Sequence, residues 1–142
     1  MSDEDITRKE LLLSSKVVAI VGLSPKEDKP SNTVAKYLRD AGYKVIPVNP
    51  GYDEILGEKC YHALSDIAER VDIVDIFMRA DSVMPVVEEA VTIKPVCIWL
   101  QLGIVNEEAK QTAENHGIMF FMDVCIKKEH ERLFKGIVDS EQ

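Results

Sequence analysis

The stretch Val17-Val18-Ala19-Ile20-Val21-Gly22 constrains this chain more than any other. An apolar, mostly β-branched run with no polar face reads as a central strand of a parallel sheet covered on both sides. Gly22 permits a sharp exit and leaves room for a ligand to approach the backbone. The polar loop Leu23-Ser24-Pro25-Lys26-Glu27-Asp28-Lys29-Pro30 follows, and Ser31 is read as the N-cap of the next helix. A helix N-terminus offers unpaired N–H groups and a positive dipole end, which together suit a phosphate. Lys26 and Lys29 add mobile positive charge beside it. The segment therefore reads as the first βα unit of a nucleotide-binding α/β domain, with its loop as a diphosphate cradle.

The 142 residues read as one domain spanning 1–142, with residues 3–13 forming an N-terminal helix packed on it through Ile6, Leu12 and Leu13. No signal peptide is visible, nor an apolar run near the ~20 residues a membrane helix needs. The expectation is a cytoplasmic protein with no membrane partner. Cys60, Cys97 and Cys125 show no CxxC spacing and read as free thiols. Cys60 falls in a loop read as exposed, and Cys97 in a strand. With His62, His116 and His130 they lack metal-ligand spacing, so no metal is expected. Net charge is −8, and no Lys/Arg cluster supplies the basic face that a nucleic acid requires. A phosphate site on so acidic a body must be a local positive pocket.

Further along, Val34, Leu38 and Ala41 share one helix face, closed by Gly42. Tyr43 to Val48 reads as the second strand, ended by Asn49-Pro50. Residues 51–64 read as irregular and Ser65 to Glu69 as a helical turn. Asp72 to Phe77 is the third strand, and Asp81 is read as the cap of a helix through Val91. Val96 to Leu100 is the fourth strand, followed by Gln101-Leu102-Gly103. Asn106 caps a helix of Glu107 to His116, and Ile118 to Met122 is the fifth strand. Asp123-Val124-Cys125 then leads into a last helix with Ile126, His130, Leu133 and Ile137 on one face. Strands alternating with helices imply a doubly wound, Rossmann-like five-stranded parallel sheet with helices on both faces. The expected order is 3-2-1-4-5, with the ligand crevice where strands 1 and 4 part.

The nicotinamide fingerprint needs three spaced glycines after strand 1 and an acid ending strand 2. Here Gly22 stands without the others, and Asn49 occupies the place of the acid. A carboxylate there would repel a 3′-phosphorylated ribose, so its lack suits one. The ordered motifs Ser24-Pro25-Lys26, Lys29-Pro30-Ser31, Val48-Asn49-Pro50, Asp72 to Phe77, Gln101-Leu102-Gly103-Ile104 and Met122-Asp123 through Cys125 carry a resemblance. Over about residues 14–134 the chain resembles the stand-alone CoA-binding-domain proteins, similar to the CoA-binding N-terminal domain of the succinyl-CoA synthetase α subunit.

What that resemblance implies is a domain that binds coenzyme A or acyl-CoA without a catalytic centre of its own. Such a domain would be a carrier, a sensor or a partner subunit, alone or as a homo-oligomer. A subunit of an acyl-CoA ligase or transferase, or a NAD or adenine-nucleotide regulator, is the alternative. The family's phosphate loop falls on Gly22, Leu23, Ser24, Lys29, Pro30 and Ser31, and its adenosine side on Asn49 and Pro50. The remaining strand ends fall on Phe77 and Arg79, on Gln101, Leu102 and Gly103, and on Asp123 and Cys125. Met78 and Val124 stand where the family often has arginine, which removes positive charge from the implied pocket. Cys125, leading into a helix N-terminus, is a packing residue or a reactive thiol.

Overall fold

The apolar runs become strands and the amphipathic stretches become helices. In the computed structural model, which describes residues 1–140 and their side chains as far as Lys135, the chain begins with α1 (Asp3–Ser14), β1 (Val17–Val21), α2 (Pro30–Asp40) and β2 (Lys44–Val48). A hairpin of β3 (Glu54–Ile55) and β4 (Glu58–Lys59) follows, then a 3-10 turn at Leu64–Asp66, β5 (Ile73–Ile76), a second 3-10 turn at Ala80–Ser82 and α3 (Val83–Thr92). The chain continues with β6 (Cys97–Leu100), α4 (Glu107–Asn115), β7 (Met119–Phe121) and α5 (Ile126–Ser140). The five long strands form one parallel sheet. Helices α1, α2 and α5 pack on one face, and α3 and α4 on the other. The Rossmann-like doubly wound sheet is as expected.

Its strand order is not. The sheet runs β2-β1-β5-β6-β7, or 2-1-3-4-5 counting the long strands, and not 3-2-1-4-5. The outer edge of β2 is already occupied. The Tyr61 N–H donates to the Pro47 carbonyl at 3.0 Å and the Asn49 N–H donates to the Tyr61 carbonyl at 2.9 Å, so no strand can add there. Proline, which lacks an N–H, belongs on such an edge. On the far side of β1 the Asp72 carboxylate accepts from the Lys16 and Val17 N–H groups at 2.9 and 3.0 Å, which registers β5 against β1. The switch point therefore lies between β1 and β5, not between the first and fourth strands.

Smaller corrections follow from the same local rules. In α1 the inward face is Arg8, Leu11 and Leu12, at helical spacing, continued by the buried C-cap Ser15. Leu11 and Leu12 are buried, whereas Ile6 and Leu13 are 43% and 61% exposed and do not pack on the domain. Arg8 donates to Glu129 at 2.6 Å and Arg132 to Asp5 at 2.6 Å, which ties α1 to α5. Asp81 is not a helix cap. It lies in the 3-10 turn before α3 and pairs with Arg79 at 3.1 Å. In α5, Ile126 and Leu133 are buried and His130 is half-buried; the side chain of Ile137 lies outside the described residues.

Candidate functional site

The C-terminal strand ends, with the loops that leave them, surround the switch point. Gly22 has φ +83° and donates its N–H to the Val48 carbonyl at 2.9 Å. A Cβ at Gly22 would collide with the Phe77 carbonyl oxygen, so the crossing of the β5 exit by itself demands a glycine here.

Ser31 is not the helix cap. Lys29 holds that position with no side-chain bond, Pro30 opens the helix, and Ser31 lies inside its first turn. The Ser31 hydroxyl accepts from the Ser24 N–H at 3.0 Å, and Asn32 Nδ2 donates to the Ser24 carbonyl at 2.9 Å. Asn49 Nδ2 donates to the Leu23 carbonyl at 3.0 Å, joining the β2 end to the same loop. The loop is thus held rigidly against α2. Among the described residues, the N–H groups of Leu23 and Ser31 have no protein acceptor. Asn32 is fully buried, and its Oδ1 has no partner among the described residues.

Across the switch point lies a cleft of about 580 Å³. Its walls are Pro30 and Val34 of α2, Phe77, Met78 and Arg79 after β5, Gln101, Leu102 and Ile104 after β6, and Cys125 and Lys128 at the start of α5. Gln101 is 4% exposed, and its Oε1 accepts the Ile126 N–H at 3.2 Å, which caps α5. Trp99 fixes the same corner by donating its indole N–H to the Val124 carbonyl at 2.8 Å. Asp123, at φ +60°, accepts the Gly103 N–H at 2.7 Å and so braces two rim loops together.

The cleft therefore unites Pro30, Phe77, Arg79, Gln101, Leu102 and Cys125. Gly22, Leu23, Ser24, Lys29 and Ser31 belong to the adjoining cradle, Asn49 and Pro50 to the β2 end, and Gly103 and Asp123 to the rim braces. Val34, Ile104 and Lys128 also line the cleft, and sequence reasoning did not select them. Lys128 lies three residues after Cys125 on a helix, which puts both on one face; that spacing was the available signal. Met78, at the position where the resembled family often has arginine, contributes an apolar wall.

Charge is arranged locally. Arg79 is exposed and paired with Asp81. Among the described residues Lys26, Lys29 and Lys128 make no ion pair, so three free cations flank the switch point of an acidic chain. Cys125 is the one partly exposed thiol of the three cysteines. Cys60 is buried, contrary to its expected exposure, because the hairpin folds it under the β2 end; burial raises its pKa and that of Cys97.

A family model described as a CoA binding domain matches residues 16–131. The chain belongs to the CoA-binding-domain family. It is 44% identical over 122 residues to the uncharacterized protein YneT of Bacillus subtilis, covering 86% of this chain and 90% of that one. It is 46% identical over 80 residues to the ADP-forming acetate–CoA ligase I of Archaeoglobus fulgidus, covering 56% of this chain but 12% of the ligase. Among solved structures, a hypothetical protein from Pyrococcus horikoshii superposes with a TM-score of 0.89 at 39% identity, over 92% of both chains. This CoA-binding-domain protein is thus similar to a segment of ADP-forming acetate–CoA ligases that spans about a tenth of their length.

Proposed function

We propose that the protein binds coenzyme A or its thioesters at the β1/β5 switch point, and serves as a carrier, sensor or partner subunit without a catalytic centre of its own. The observation behind this reading is the adjacency of two unlike surfaces across the first turn of α2. On one side is the cradle, with the unpaired Leu23 and Ser31 N–H groups, a helix N-terminus and Lys29. On the other is the largely apolar cleft that begins at Pro30 and Val34. Coenzyme A has the matching form: a phosphorylated nucleotide joined to a long uncharged arm. The diphosphate would lie against residues 23–31, and the pantetheine arm along Pro30 and Phe77 toward Gln101. Asn49 at the end of β2 leaves no carboxylate to repel a 3′-phosphate.

The names of the ligase relatives favour a second reading of the same site. The chain would then supply the CoA-holding part of an acyl-CoA-forming enzyme whose other parts come from a partner protein. Both readings require CoA to bind, which thermal denaturation tests. CoA at a hundredfold excess over its dissociation constant stabilises the native state by about 2.7 kcal/mol, or about 5–11 °C for a domain of this size. NAD, whose glycine fingerprint is missing, shifts the midpoint much less. Equal shifts with both ligands, or none with CoA, would overturn the proposal.

A further inference from the structure

Gln101 has one half of its carboxamide committed and the other half free. The side chain is almost wholly buried, and its Oε1 is held by the Ile126 N–H, which fixes Nε2 as the other arm. Among the described residues Nε2 donates to no protein group, although Gln101 lines the cleft. Nε2 is not one of the wholly buried unpartnered atoms, so it opens onto the cleft, where an acceptor can reach it. The walls around it are Val34, Phe77, Met78, Leu102 and Ile104, and the charged groups, Arg79 and Lys128, are exposed. The site thus offers one directed donor inside an apolar enclosure. That chemistry suits a carbonyl oxygen attached to a hydrocarbon chain, whereas a carboxylate would find its cationic partners, Arg79 and Lys128, only at the exposed mouth.

On the reading that the protein binds coenzyme A, we infer that the cleft selects thioesters carrying an uncharged aliphatic acyl group, with a ligand carbonyl oxygen on Gln101 Nε2. The acyl chain lies against Val34, Met78 and Ile104, and Leu102, 63% exposed at the rim, covers it. The inference goes beyond CoA binding because it ranks acyl groups by length and charge.

Titration calorimetry of the full chain with CoA, acetyl-CoA, butyryl-CoA, hexanoyl-CoA and succinyl-CoA tests it. Each methylene buried in the cleft should tighten binding by about fourfold. Affinity should therefore rise from acetyl- to hexanoyl-CoA, whereas succinyl-CoA binds no tighter than CoA itself. Gln101→Glu keeps an acceptor for the Ile126 N–H while removing the donor, and should weaken hexanoyl-CoA at least tenfold. The chain-length slope is read on the unaltered protein, so it stands whether or not that variant folds. Equal affinity for CoA and every thioester, or succinyl-CoA matching butyryl-CoA, overturns the inference and leaves CoA binding intact. Failure of every member to bind, CoA included, overturns the underlying reading as well.

Discussion

The two faces of the sheet are built from opposite materials. Beneath α3 and α4 the core is apolar throughout, with Val74, Ile76, Ile98 and Leu100 meeting Val83, Val87, Ala109 and Ala113. Beneath α1, α2 and α5 sit the buried polar residues Ser15, Ser31, Asn32, Asp75, Gln101 and Glu129. Some are fully used: Glu129 accepts from Arg8 and Arg132, and Ser31 tethers the cradle. Others are not, since among the described residues Asp75 has both carboxylate oxygens buried without a partner and Asn32 has one orphan oxygen. Buried polar groups favour one arrangement over others but cost stability when unmatched. The difference separates two tasks. One face holds the sheet together, and the other sacrifices some of that to position the cradle and the cleft.

The largest effect that separates the faces should come from the dry one. Ile98→Ala opens a cavity under α3 and α4 and should cost about 2–5 kcal/mol in urea unfolding, with the CoA affinity of the folded protein unchanged. A tenfold loss of affinity would mean that the faces are not separable.

On the other face, Asp75→Val removes an unmatched polar group and should stabilise the protein by about 1–3 kcal/mol at neutral pH. Burial raises the Asp75 pKa well above the usual carboxylate range. Its stabilising share is therefore fully present below the unfolded-state value near ~3.9 and is lost as pH rises through the folded value. The gain from Asp75→Val should accordingly narrow as pH falls toward that value. A loss of stability at neutral pH, or a gain that does not change with pH, would show that Asp75 has a partner in solution.

The smallest effects should come from the exposed lysines beside the cradle and the cleft. Lys29→Ala and Lys128→Ala should leave stability within about 0.5 kcal/mol and weaken CoA by about twofold to fivefold each, the scale of exposed ion pairs. Wild-type affinity in both variants would return these lysines to the solvated surface.

The parallel sheet was legible because Val17 to Val21, Ile73 to Ile76 and Cys97 to Leu100 are continuous apolar runs, which only a doubly covered sheet accommodates. The order of its strands was legible too, and misread: Pro47 marks β2 as an edge, which excludes a strand beyond it. Pro30 likewise announced the first helical position and so excluded Ser31 as the cap. The strand-end residues that border the cleft could be read from topology. The walls Val34 and Ile104 could not, since they look like ordinary core positions until the helices are placed. Asp75 resisted altogether, because an acid inside an apolar run does not reveal which layer it faces.

Amide chemical-shift mapping of the isotopically labelled protein titrated with coenzyme A tests the central claim most directly. Shifts should concentrate at residues 22–32, 77–79, 101–104 and 123–128, with the outward turns of α3 and α4 unmoved. Shifts confined to α3 and α4, or none at saturating coenzyme A, would contradict a CoA site at the β1/β5 switch point.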